Sequence, residues 1–319
     1  MLSPNYRRNS GWLKSEIGVP LREMSDGILG PWGNLHASPP NHIHHYTTVH
    51  GLLGIASSSS LWATDLRFFS DASELQYGYR LVRERLQEKY EAATSDATKI
   101  LFDRAQSALA PEGSYYSYYG VCFCETSDLL SQWRAYAGRG GGYAIGFRSL
   151  MLLTTTLPSP DLRLRKVIYD HITQRSLIDD VCDRAKVIVE SSCKTRAAES
   201  VIPHVLSCMR DHLEEFYFCF KDPLFKEEAE WRLIAELTQE ERVSAAALRF
   251  RPGHGVPIPY LEIKPLASAG PWTGRLPISS VVHGPTLDPR STQLALEMLL
   301  RKHAYPFVEV AGSKIPLRG

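Results

Sequence analysis

The sequence predicts an α+β fold. Short apolar or alternating runs are interspersed with longer runs of helical period, without the regular beat of repeated β-α-β units that a doubly wound sheet requires. No internal repeat of roughly 20 to 50 residues is present, so a solenoid is not expected. The 319 residues, 44% hydrophobic and 22% charged, are enough to bury a sizeable core as one large or two small domains.

The first 41 residues are rich in Pro, Gly, Ser and Asn and end in Ala37-Ser38-Pro39-Pro40-Asn41, which predicts an extended arm. From His42 the chain reads as a single α+β domain. A polar-aromatic strand leads to an apolar helix near Val49 to Ala56, then to a short strand, Leu61-Trp62-Ala63-Thr64. Residues 74 to 110 carry helical spacing broken by Thr94-Ser95-Asp96, which predicts two helices. A strand from Gly120 to Thr126 precedes a helix with Trp133 and Tyr136 at i, i+3. The run Gly138 to Gly142 ends that helix and feeds a strand, Tyr143 to Phe147. Another strand is expected at Lys166 to Tyr169. Residues 171 to 220 then read as an inserted pair of amphipathic helices, broken near Ala197–Pro203. Strands at Trp231–Glu236, Pro259–Lys264, Ile278–His283 and Phe307–Val310, with a helix from Pro289 to His303, complete the pattern.

Lys+Arg 36 against Asp+Glu 35 leaves a formal charge of +1, so no global field draws the chain to nucleic acid or an anionic membrane. Any nucleic-acid contact must be local. There is no signal-peptide core near the N-terminus and no run of about 18 apolar residues, so a cytoplasmic location without membrane contact is expected. Cysteines at 122, 124, 182, 193, 208 and 219 form no Cys-x-x-Cys pair, so reduced, mostly buried thiols are expected. Cys122 and Cys124 alternate with Val121 and Phe123 and should share one face of a strand.

The most informative stretch is Glu227-Glu228-Ala229-Glu230-Trp231-Arg232. Glu228 and Glu230 share a face if the strand begins that early, and a carboxylate pair beside an aromatic and an arginine can do acid/base work or stabilise a cation. It can equally be a salt-bridged start to a strand. The glycine run at 138 to 142 follows a helix and opens a strand, the reverse of a dinucleotide fingerprint. A lid or tight turn is therefore expected, with Arg134 and Arg139 available to a phosphate. His42-Ile43-His44-His45 lacks a Cys or carboxylate partner at metal-ligand spacing. His45 or Tyr46, at the end of the first strand, instead faces a pocket or is a satisfied edge side chain. Asp71 and Glu74 either line a pocket or form part of a capping box. Glu262-Ile263-Lys264 carries the Glu-x-Lys element of metal-dependent nucleases, without an aspartate between Asp222 and Asp288. No G-x-S-x-G elbow or Walker sequence occurs.

Four blocks together resemble the bacterial family Domain of Unknown Function 2971: His45-Tyr46-Thr47 with Leu61-Trp62-Ala63-Thr64; Phe69-Ser70-Asp71-Ala72-Ser73-Glu74; Trp133-Arg134-Ala135-Tyr136-Ala137 with Gly142-Tyr143-Ala144-Ile145-Gly146-Phe147; and Glu228-Ala229-Glu230-Trp231-Arg232. The resemblance runs from about 42 to 235, and Ser313 to Arg318 looks like the end of such chains. Ser70-Asp71 stands where the family usually has Asn-Asp.

The layout is also similar to the ADP-ribosyltransferase fold. That similarity implies two small mixed or antiparallel sheets forming a cleft with helical insertions, and NAD bound there as substrate. It places His45 or Tyr46, with Thr47, on the first strand, Thr64 on the second, and Glu230 or Glu228 as the carboxylate that stabilises an oxocarbenium ion. Trp133 and Tyr136 would stack on the rings, Arg134 or Arg232 would bind the pyrophosphate, and Asp71 and Glu74 would lie nearby. The expected function is ADP-ribosyl transfer to a protein or nucleic acid by a toxin or phage-defence effector, with an antitoxin or defence-system partner. The alternative is a metal-dependent nuclease-like or non-catalytic interaction module.

Overall fold

The computed structural model describes residues 37–69, 73–109, 116–136, 141–157, 162–238, 248–253, 255–266 and 274–316. Residues 1–36 of the expected arm, Asp71 and residues 138–140 of the glycine run lie outside the described residues.

Among the described residues two units separate. One comprises Phe69–Ser117 and Val167–Phe225; the other comprises Ser38–Phe68, Tyr118–Lys166 and Lys226–Gly319. We number the strands β1 to β11 and the helices α1 to α8 in chain order. The first unit holds α2 (Ser73–Glu91), α3 (Asp96–Ala108), α6 (His171–Ser192) and α7 (Ala198–Cys219). Its helix starts follow from local chemistry. Ser95 Oγ accepts from Thr98 N at 3.2 Å and Asp170 Oδ2 accepts from Thr173 N at 2.7 Å, each satisfying a backbone N–H that has no partner within its helix. Lys89 on α2 pairs with Asp183 on α6 at 2.6 Å. The break expected near Ala197–Pro203 falls at its N-terminal edge: α6 ends at Ser192, Ala197 caps α7, and Pro203 lies inside α7.

The second unit is built on a mostly antiparallel sheet of eleven strands. Its main path runs β11 (Glu309–Gly312), β10 (Ile278–His283), β4 (Tyr143–Arg148), β1 (His42–Thr47), β3 (Tyr116–Cys124), β2 (Leu61–Asp65), β9 (Pro257–Pro265), β5 (Thr156–Leu157). Off this path, β7 (Glu230–Thr238) pairs with β3 and β6 (Arg163–Lys166), and β8 (Leu248–Pro252) pairs with β9. The expected two small sheets are therefore one connected sheet. The physical reason is that β7, which would have begun a second sheet, bonds directly to β3 and carries β6 with it. The strand expected at Lys166–Tyr169 ends at Lys166, and Ile168 makes only an isolated bridge to Phe220.

The sheet's two faces differ along β2 and β9. Leu61, Ala63, Leu261 and Ile263 are almost fully buried, and the burial of each leucine or isoleucine is worth roughly 1.5–3 kcal/mol. The alternate positions Trp62, Thr64 and Glu262 are exposed or half-buried, as a period of two dictates. Helix α1 (Val49–Ser58) starts at Thr48, whose hydroxyl accepts from Gly51 N. α8 (Pro289–Lys302) starts with Pro at its first position behind an Asp288 cap, a pairing suited to a helix N-terminus.

Candidate functional site

In the sheet unit, β1 and β3 share one register pair, His44↔Cys124. At that point the His45 ring turns towards β3. Its Nδ1 donates to the Cys122 carbonyl at 2.9 Å, and the ring packs edge-on against Phe123 at 5.9 Å. The side chains of His44, Tyr46, Cys122 and Cys124 share the opposite parity, and together with His45 and Phe123 these residues line a cleft closed by Gln132 and Tyr136 of α4 (Leu130–Tyr136) and by Glu228 and Glu230. The cleft encloses about 60 Å³, room for about four to six waters or the tip of one small ring.

Tyr46 is a fixed wall. Its hydroxyl donates to the Thr126 carbonyl at 2.9 Å and accepts from Leu129 N at 3.0 Å. Its ring meets Trp133 edge-on at 4.7 Å, inside an apolar cluster with Cys124, Ala144 and Val282. Burial drives its phenol pKa well above the ordinary value, so it stays protonated. Trp133 is itself buried and donates Nε1–H to Asp128 at 2.8 Å. It therefore supports the site from behind, while Tyr136, 42% exposed, is the aromatic that faces the cleft.

Asp128 ties this wall to the far end of the chain. It accepts from Ser313 Oγ at 2.6 Å and Lys314 N at 2.7 Å as well as from Trp133. Burial alone would raise its carboxyl, but these bonds outweigh it and hold the pKa below the ordinary value.

His44 sits opposite Gly146 of β4. A Cβ at Gly146 would come within 2.2 Å of Ser280 Oγ and 3.3 Å of His44 Nε2, so glycine is what lets the imidazole lie flat against the neighbouring strand. Burial lowers the His44 pKa, partly opposed by hydrogen bonds with the backbone of Cys124 and Glu125, which leaves a neutral ring at pH 7. Its Nδ1 is buried without a hydrogen-bond partner. Burial and the neighbouring carboxylates push the Cys124 thiol up to about 11, against a bond from Thr126 N that lowers it. Cys124 is thus a protonated wall and not a nucleophile.

The two carboxylates arrive differently from what a period of two predicts. Glu228 ends a 3-10 turn, Pro223–Glu228, and the strand starts at Glu230. Ala229 between them has φ 41, a left-handed conformation that costs a residue with a Cβ roughly 1–2 kcal/mol. The turn swings Glu228 to the cleft mouth, half-buried, instead of aligning it along the strand. Glu230 is buried and accepts from Arg232 Nε at 2.6 Å and Nη2 at 2.9 Å. This fork neutralises its charge in place. Both carboxylates line the cleft together with Cys124.

Other expected site residues lie elsewhere. Thr64 pairs with Gly120 on β3, four residues along from Cys124 and so about 13 Å away. Its hydroxyl accepts from Arg251 Nη2 at 3.2 Å. Thr47 ends β1 opposite Tyr143, with its side chain against Gly51. Arg134 is exposed on α4. Glu74 lies in α2, in the other unit, and Asp71 is outside the described residues. The Glu-x-Lys element forms an ion pair, Lys264 Nζ to Glu262 Oε2 at 3.2 Å. Among the described residues no group of three or more His, Cys, Asp or Glu could hold a metal ion, and no helix is long and apolar enough to cross a membrane.

Sequence reasoning passed over His44 as a site residue, and Cys124 and Gln132 with it. A signal for His44 was present: on β1 it shares its parity with Tyr46, whereas His45 does not.

Residues 132–233 match the family described as Protein of unknown function (DUF2971). The match begins at Gln132 on the cleft's helix and ends just past the Glu230–Arg232 pair. It spans a narrower stretch than the resemblance read from the sequence blocks. No curated protein and no solved structure shows a significant match to the chain.

Proposed function

We propose that the cleft cleaves the nicotinamide–ribose bond of NAD and passes ADP-ribose to a macromolecular acceptor, as a toxin or defence effector would. The observation that carries this reading is the convergence of Glu228, Glu230, His44 and Tyr136 on one small cleft. Cleavage of a glycosidic bond develops positive charge on the ribose, and a carboxylate at the cleft mouth stabilises it. Both carboxylates line the cleft, and we assign that stabilising role to Glu228, the less buried of the two. The Glu230–Arg232 fork holds the start of β7 so that the strained Ala229 presents it.

The volume takes the edge of a nicotinamide ring and not a whole dinucleotide, whose bulk would lie along the open surface beside Tyr136.

The test is nicotinamide release from NAD by the purified protein, with and without lysate, beside Glu228→Gln and Glu230→Gln. We expect release to fall at least about 100-fold in Glu228→Gln. Wild-type release by that variant rejects the assignment, and intact NAD throughout with the wild-type protein rejects the reading.

A further inference from the structure

We infer that Gln132 selects the substrate of the cleft, by a pair of hydrogen bonds to a primary carboxamide on the ring that enters it. The assignment rests on the function proposed above and adds to it the group that the cleft recognises.

Gln132 is placed by its helix. It stands one turn before Tyr136 on α4, and residues four apart on a helix share a face, so both line the cleft. Trp133 packs instead into the apolar cluster with Tyr46. Gln132 is 7% exposed, and among the described residues its carboxamide takes part in no hydrogen bond. A polar side chain covered to this degree normally has partners, and the space that Gln132 lines is where a ligand can supply them.

The neighbouring groups limit what that ligand is. The Tyr46 hydroxyl is committed to Thr126 and Leu129. Glu228 and Glu230, when ionised, offer acceptors alone. A ligand edge that suits this wall accepts from Gln132 Nε2 and donates to Gln132 Oε1 or to a carboxylate. A primary carboxamide does both in one plane, by the reciprocal pairing that joins two amides. A carboxylate in its place can accept but not donate, and it meets two glutamates of its own charge. An unsubstituted ring does neither. The enclosed space of about 60 Å³ admits a carboxamide with the ring edge that bears it, which is the nicotinamide end of NAD.

The test is a titration of the full chain with nicotinamide, nicotinic acid and pyridine, followed by ligand-observed NMR, in wild type and Gln132→Met. Nicotinamide release from NAD is measured on the same proteins. Methionine matches the side-chain length and removes both amide functions. We expect nicotinamide to bind wild type at least about 5-fold more tightly than either other ring. Gln132→Met should weaken nicotinamide about 5- to 150-fold, the cost of leaving the paired amide unbonded, and keep pyridine within about 2-fold. N,N-dimethylnicotinamide, which accepts but cannot donate, tests the pairing in wild type without a variant and should bind more weakly. A loss shared equally by pyridine marks a purely structural role and overturns the inference. Nicotinamide binding that is undetectable, no tighter than that of the other ligands, or unchanged in Gln132→Met overturns it too. Release from NAD with an unchanged KM in Gln132→Met sustains the glycosidic chemistry and overturns the role of Gln132. Nicotinamide binding that depends on Gln132, without any release, sustains that role and overturns the chemistry.

Discussion

Glu230→Gln isolates what the carboxylate does for the fold. Arg232 is 2% exposed and Glu230 5%, and two bonds of 2.6 and 2.9 Å join them. Charges about 4 Å apart attract by about 4 kcal/mol at an effective dielectric of about 20. Much of that only offsets the loss of hydration, so the pair is worth little against an apolar isostere, but removing one partner takes both bonds away from a buried charge. Glu230→Gln should therefore destabilise the protein by about 1–3 kcal/mol, because guanidinium cannot shed its proton and loses charge-assisted bonds. Arg232→Met should behave differently. A buried carboxyl that has lost these bonds can take up a proton, so the deficit should be small near pH 4 and grow as pH rises above the ordinary carboxylate range. Glu230→Gln/Arg232→Met should recover most of the loss. The assay is urea unfolding at several pH values, followed by far-UV circular dichroism and tryptophan fluorescence, with the slope on denaturant compared between variants. A Glu230→Gln protein within about 1 kcal/mol of wild type, or an Arg232→Met deficit that does not change with pH, would refute this account.

Three further outcomes are expected. Ala229→Gly should stabilise the protein by about 1 kcal/mol or leave it unchanged, since glycine holds a positive φ without strain; a loss beyond about 1 kcal/mol in urea would contradict a strained turn. Tyr46→Phe should cost about 1–3 kcal/mol by leaving Thr126 O and Leu129 N without their bonds, visible as a lowered Tm. The Asp128 carboxyl is held below its ordinary value of 3.8, so its contribution is present above that value and is lost as pH falls through the lower folded pKa. Wild type should accordingly lose stability on acidification below about pH 4 by an increment that Asp128→Asn, already lacking the charge, does not show.

Much of the fold is legible in the sequence because local signals and tertiary demand agree. The Thr94-Ser95-Asp96 break is the cap of α3, and Ile278–His283 is a strand with the bounds expected. What is not legible is which strands pair. Nothing local in Trp231–Glu236 distinguishes pairing with β3 from opening a second sheet. β8 escaped notice because Leu248-Arg249-Phe250-Arg251 is polar on one face and exposed on both. In the site, Glu228 and Glu230 do meet, but through a left-handed Ala229 that no residue preference foretells. His45 drew attention from its block with Tyr46 and Thr47, although a strand's period favours His44. Trp133 and Tyr136, three apart on a short helix, divide their roles: one braces and the other faces outward.

The Asp128 clasp also imposes an order in time. Ser313 follows Asp128 by 185 residues, so at synthesis rates of about 5–20 residues per second the clasp waits roughly 10–40 s after Asp128 is made. During that interval Asp128, which holds the Trp133 indole N–H, lacks its bonds from Ser313 and Lys314. The site is therefore assembled late, after every other strand of its sheet has been made, which defers any activity it has until the nascent chain can fold as a whole.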